Sequence, residues 1–325
     1  LPLTRSTALI VATLALATAC DKPPEVNPEQ TLPIGITPLD LATRPTILFQ
    51  VFGSADTPKI MPIAAVVSGA IQPIALTTSG WRELDSTYLA AGTKYSIYSN
   101  DNVYGAVTVT RGMWTDGGEA LYPLPGCTDL RPLGSAMLEL PGRTNEPSVE
   151  FIASSATLTP HPAGTRALPP SATVAKLGRE YGRALGAQNQ MEAEELDSLD
   201  FIARMFDTGA GTQPTLLVSF IDPQAGDVAP GVGHSSIILA LFDKADTGYV
   251  STYRHVKSGE AKDVEFQRLV DHLDVDGDGI DEIILESWHY ASTNELVVLS
   301  FKAGQWHEVL RASSNWCLDP PKPKK

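Results

Sequence analysis

The sequence predicts a mainly β protein: an N-terminal β barrel or sandwich, a small α-helical connector, and a C-terminal propeller-like antiparallel β domain. Three observations carry this expectation. Short apolar or alternating runs recur between Gly, Asn, Asp and Pro turns, the pattern of strands that bury one or both faces. The chain holds 26 glycines and 25 prolines but only 7% aromatic residues, which suits short strands and many loops better than a helical bundle. Finally, two stretches in the last third echo each other 67 positions apart, at Asp207 and at Asp274. With 325 residues and 43% hydrophobic composition, there is enough chain for one large or two ordinary domains with buried cores.

Residues 1–19 read as a processing segment and stand outside the fold: Arg5 gives a basic start and Ala8–Ala19 an apolar run of 12 residues. A bilayer span needs about 20 such residues, so a cleaved leader fits the run better than a membrane helix. The ending "LATAC" resembles the lipobox of bacterial lipoproteins, with Ala17 where leucine is usual. That resemblance implies a lipidated Cys20 as the mature N-terminus. It also implies an extracytoplasmic place in the bacterial cell envelope, anchored to the membrane and facing the periplasm or the cell surface. An ordinary cleaved signal with an incidental cysteine is the alternative. Export leaves Cys127 and Cys317 as an even pair in an oxidising compartment, so a Cys127–Cys317 disulfide is expected, with two free buried thiols as the alternative.

Residues 20–42, rich in proline and polar side chains, read as an extended tether after the lipidated cysteine. Residues 43–158 follow as the N-terminal β domain, through runs such as "TILFQVFG", "KYSIYSN", "GAVTVTRGMW" and "VEFIASSATL". Residues 159–206 read as linker and helices. Ser171 is placed to cap a helix whose apolar stripe is Val174, Leu177, Tyr181 and Leu185, and "MEAEELDSLDFIARMF" predicts a second helix. The acidic group Glu192, Glu194, Glu195 and Asp197 reads as a solvated face favoured by the helix dipole, with a partner site as the alternative.

Residues 207–318 carry the echo, and residues 319–325 a basic tail. Aligned without gaps, Leu216, Leu217 and Val218 fall opposite Ile283, Ile284 and Leu285, so each unit predicts a loop followed by three antiparallel strands, close to one propeller blade. Two units are too few for a ring, so a closed propeller would need strands from the N-terminal half. The formal charge of -14 argues against nucleic acid and anionic lipid headgroups as partners, because both would repel such a surface.

The stretch "DVDGDGIDEIILES" holds the densest chemistry. Asp274, Asp276 and Asp278 alternate with small or apolar residues, and Gly277 and Gly279 permit the tight curl that turns alternate side chains inward. Calcium takes six to eight hard oxygens, so three carboxylates, the Ile280 carbonyl and the Glu282 carboxylate fill most of its shell. An EF-hand needs a bidentate Glu at the twelfth position, where this chain has Leu285. The stretch instead resembles the DxDxDG hairpin loop of FG-GAP and VCBS-type repeats, as in integrin α-chain propellers. That resemblance implies a Ca2+ site with Asp274, Asp276, Asp278, Ile280 through its backbone, and Glu282 as ligands. A solvated Asp-Gly hairpin is the alternative. In the first copy the acids have become Gly209, Gly211 and Thr215, so no ion is expected there.

A hard-oxygen cage at the base of a hairpin acts as a staple, since the ion cancels repulsion among its carboxylates; catalysis would need an open position and neighbouring acid or base groups. The late histidines, His234, His255, His272, His289 and His307, match no zinc-ligand spacing, and "GVGHSS" lacks the order of a nucleophile elbow. No catalytic residues are therefore assigned. The expected role is a non-enzymatic binding or scaffold module for a protein or glycan partner. The alternative is an extracytoplasmic hydrolase with its site between the domains.

Overall fold

The computed structural model describes residues 38–112, 133–142, 148–159, 168–226, 231–246, 248–290 and 294–313. The leader, Cys20, residues 20–37 of the tether, Cys127, Cys317 and the basic tail lie outside the described residues, so the anchor and the disulfide expectation do too. The end of the expected tether is corrected, because Leu39 and Leu41 are buried in the barrel core. Among the described residues, no helix is long and apolar enough to cross a membrane.

The chain is mainly β, and its N-terminal part is a barrel. Strands β1 (Thr46–Ser54), β2 (Lys59–Val67), β4 (Lys94–Ser99), β5 (Asn102–Arg111), β6 (Gly134–Glu139) and β7 (Ser148–Ser154) pair in the closed order β1-β7-β4-β5-β6-β2, with β1 returning to β2. The short β3 (Ala70–Gln72) extends β2. Alternation sorts the side chains: Ile47, Phe49 and Val51 point inward with Ile60, Ile97, Val107 and Val109, while Leu48 and Phe52 point outward. Pro62 sits where the β1–β2 register shifts, a position where its missing N–H breaks no regular ladder.

A helix that the turn-rich reading of this region missed, α1 (Thr78–Tyr88), adds Leu84 and Tyr88 to the barrel core. Thr77 caps it by accepting the Gly80 N–H at 3.2 Å. The "TSGWRELDSTY" segment carries too few apolar positions to announce a helix, and its helicity is settled by the core it covers.

The connector contains α2 (Ser171–Gln188) and α3 (Ala193–Ser198). The predicted stripe faces inward: Val174 and Leu185 are buried, with Leu177 and Tyr181 packed beside them. Two expectations are corrected here. Ser171 is the first helical residue rather than the cap, which is Pro170 without a side-chain bond. The second helix stops at Ser198, and "DFIARMF" becomes strand β8 (Asp200–Phe206), where pairing with the next strand outweighs local propensity.

Two four-stranded antiparallel sheets complete the molecule. The first runs β11 (Gly248–Glu260), β10 (His234–Ala245), β9 (Thr215–Ile221), β8; the second runs β12 (Phe266–Leu273), β13 (Glu282–Trp288), β14 (Glu295–Lys302), β15 (Gln305–Ser313). Each unit has four strands rather than three, because the loop joins the first strand to the second. Strands β9 and β13 begin and end 67 positions apart, in the register of the sequence echo. The N-terminal strands close on themselves, and among the described residues none joins either sheet.

The sheets stack face to face. Leu217, Leu239 and Leu241 of the first meet Ile283, Leu285, Val297 and Leu299 of the second. The outer face of the first sheet, through Val218, Phe220 and Ile238, lies under α2. On the far side of the second sheet, Ile284, Val298 and Leu310 pack on Leu48, Phe52, Met61 and Ile63 of the barrel. Helix, sheet, sheet and barrel therefore form consecutive layers, and β13 is buried along its whole length because both of its faces are covered.

Candidate metal centre

The acidic loop is the connection between β12 and β13. Gly277 and Gly279 adopt φ of 82° and 88°, a region that side chains with a Cβ rarely enter, and this winds the loop tightly. Its own amides then hold the acids. Asp274 accepts from Gly277 N–H through Oδ1 at 2.8 Å and from Gly279 N–H through Oδ2 at 3.0 Å. Asp276 Oδ1 accepts from the Asp278 N–H at 3.1 Å, and Asp278 Oδ1 from the Ile280 N–H at 2.8 Å. Glu282, the first residue of β13, reaches back to accept the Val275 N–H at 3.0 Å.

One carboxylate oxygen each from Asp274, Asp276 and Glu282 lies within 4.8 Å of the other two. Of the five expected ligands, these three converge. Asp278 stands outside the trio with one oxygen turned to its own loop, and Ile280 enters only as backbone.

The trio is electrostatically uncomfortable. Burial, then repulsion by Asp276 and Asp278, pushes Glu282 up to about 8 against the bonds it receives from Val275 and Ser300. Asp274 and Asp276 are also raised, first by burial; the loop amides offset part of this for Asp274, and Lys302 eases Asp276 only slightly. Such a set of hard oxygens, with charge left uncancelled, fits a hard divalent cation and offers nothing to a soft metal. Three carboxylates leave room in a six-to-eight-oxygen shell for backbone carbonyl and water.

A cleft of about 610 Å³ opens beside the loop. One wall is Asp274 to Gly279; the other comes from the β2–β3 turn (Ser68, Gly69) and the segment after β7 (Ala156 to Thr159), with Thr46 and Val66. Hydroxyls and small apolar groups make up that second wall, and among the described residues it carries no acid or base.

The matching loop of the first unit is built differently. Thr215, which stands in the place of Glu282, donates to Asp243 Oδ1 at 2.6 Å and lies 2.9 Å from the Thr208 hydroxyl. Thr252 and Trp306 also donate to Asp243 Oδ2, at 2.6 and 2.8 Å. In the second unit the carboxylate Glu282 is bonded by Ser300. Carboxylate and hydroxyl have thus exchanged strands between the units: the acid points at the loop in one and into a set of protein donors in the other.

Sequence reasoning missed two further clusters. Glu195 accepts from Ser236 and from Ser258 (3.0 Å), with His234 Nε2 at 3.4 Å, so it pins α3 to the first sheet instead of facing solvent. Burial would raise its pKa, but these bonds outweigh that and hold it low. Both Ser236 and Glu195 meet the same His234 nitrogen, which does not make the relay a nucleophilic serine needs. The second is a buried pair, His272 Nδ1 to Asp281 Oδ2 at 2.7 Å, with the His272 ring stacked 4.5 Å from Phe206. Neither cluster leaves a linear trace, because its members come from different elements of the fold. Among the described residues no histidine joins a metal-type cluster.

No family model matches this chain, and neither a curated protein nor a solved structure matches it.

Proposed function

We propose that the chain is a calcium-stapled binding or scaffold protein of the bacterial cell envelope, held by a lipid on Cys20, with two blade-like units of the FG-GAP/VCBS type. The convergence of Asp274, Asp276 and Glu282 within 4.8 Å carries the cation part of this reading. Calcium is preferred over magnesium because a curled loop of carboxylates and carbonyls suits a large, irregular shell better than a strict octahedron. The ion works as a staple: it neutralises carboxylates that the curled loop holds close together and partly out of water. The working surfaces are the exposed faces and loops of the β layers, offered to a protein or glycan partner.

One observation favours the alternative, a hydrolase, namely the cleft beside the loop. It ranks second because the described residues of the facing wall include no general acid or base, and the His272–Asp281 pair is buried away from that lining. Thermal unfolding in calcium and then in chelator tests the staple. Each kcal/mol of binding raises Tm by roughly 1–2 °C in a chain of this size, so a few kcal/mol of binding gives an expected rise of several degrees. Identical curves would sink the reading.

A further inference from the structure

Several bonds at the acidic loop leave its own sheet. Where β12 ends, Asp271 Oδ1 accepts the Asn100 N–H at 2.8 Å, and the His272 carbonyl accepts the Asp101 N–H at 3.1 Å. Both donors form the two-residue turn between β4 and β5 of the barrel, with φ of 49° and 55°, the left-handed pair of a tight hairpin that Asn and Asp tolerate. At the other end of the loop, the Asp281 N–H donates to the Thr208 carbonyl of the first unit at 2.8 Å. Its side chain grips His272, which lies against Phe206 of β8. In between, Val275 is buried among barrel residues Leu48, Met61 and Leu158, and the Asp276 carbonyl lies 3.6 Å from where Gly69 would carry a Cβ. Asp281 is fully buried and its Oδ1 has no hydrogen-bond partner.

The loop is thus the place where barrel, first sheet and second sheet meet, and we infer that cation occupancy of this loop governs how firmly the barrel docks on the two sheets. The inference rests on the cation reading above. The crowded carboxylates favour movement of residues 274–282, and the docking points flank that segment, with Asp271 and His272 just before it and Asp281 at its end. An ion that fixes the loop therefore fixes the β4–β5 turn and Thr208, and by reciprocity a well-docked barrel tightens the ion.

Hydrogen exchange on the full chain, read by mass spectrometry while calcium is titrated, tests this. Slowing of about tenfold or more is expected in peptides covering 99–101 and 208–210, with the same midpoint as in 274–282. Slowing confined to 274–282 overturns the coupling while leaving the cation reading intact. No slowing anywhere, with no heat of calcium binding by calorimetry, removes the cation reading itself and the inference with it. Asp271→Ala keeps every loop carboxylate; it should weaken calcium by about 5–10-fold and abolish the slowing at 99–101. Unchanged affinity with retained slowing would overturn the coupling. Should this variant not fold, the exchange pattern of the unaltered chain still decides.

Discussion

Glu282 shows how one position sets both the weakness and the use of the loop. Its ordinary value is 4.5 and burial lifts it to about 8, so the folded, cation-free protein prefers it protonated. Below about 4.5 the folded and unfolded chains are both protonated there and nothing is lost. As pH rises from 4.5 to 8 the unfolded chain ionises first, and folding stability falls across that window; above it the loss is constant. Asp274 and Asp276, raised in the same direction, add to the fall. Melting temperature against pH in chelator should therefore drop toward pH 8, and calcium should flatten the drop. Glu282→Gln removes the buried charge while its amide oxygen still accepts from Val275. It should melt higher than the parent in chelator and gain little from calcium; equal calcium shifts in both proteins would refute the role given to Glu282. The acids at 274, 276 and 282 are legible in the sequence because ligand spacing within a loop is local. Asp281 is not: nothing in "DGIDEI" says that this acid turns inward to His272, since its partner is chosen by the pairing of β12 with β13.

At the scale of elements, α2 separates what periodicity reveals from what it hides. The stripe Val174, Leu177, Tyr181 and Leu185 follows from helical spacing, whereas the equally buried Gly178, Gly182 and Gly186 are invisible to an apolar pattern. Gly178 and Gly182 let the helix lie close on β8 and β9, and Gly186 lets it approach α3 and β10. A Cβ at Gly182 would fall 2.3 Å from Phe220 Cε2 and 2.9 Å from Val218 Cγ1, both in the packed core. Gly182→Ala should gain up to about 1 kcal/mol in helix propensity yet lose about 1–3 kcal/mol to overpacking, for a net loss in chemical denaturation. A stabilised variant would mean that the helix stands off the sheet. Strand β8 failed as an expectation for a related reason. "DFIARMF" alternates weakly and follows acidic, helix-like residues, and only its pairing with β9 makes it a strand.

Across the whole molecule, the layers are tied by a few polar bonds set in apolar interfaces. Arg268 of the second sheet binds Glu150 of the barrel at 2.6 Å and also pairs with Glu286, so a single guanidinium bridges the two facing carboxylates at this junction. Asp243 of the first sheet accepts from Trp306 of the second. Asp243→Ala would leave Thr215, Thr252 and Trp306 without their acceptor, at a cost of about 3–5 kcal/mol, and should loosen the stacking of the two sheets. Chemical denaturation followed by tryptophan emission would register both effects; an unchanged midpoint would show that the apolar contacts alone hold the sheets. By itself, the sequence determined the β character, the break near the connector, the register of the two echoing units and the acids of the loop. All of these follow from local periodicity, turn chemistry and spacing. The tertiary structure alone decided that the N-terminal strands close into a barrel, that each unit takes a fourth strand, and that sheets and barrel meet at the loop. Those outcomes depend on which apolar face finds which partner across long separations, and a face announces in sequence only that it must be covered, not by what.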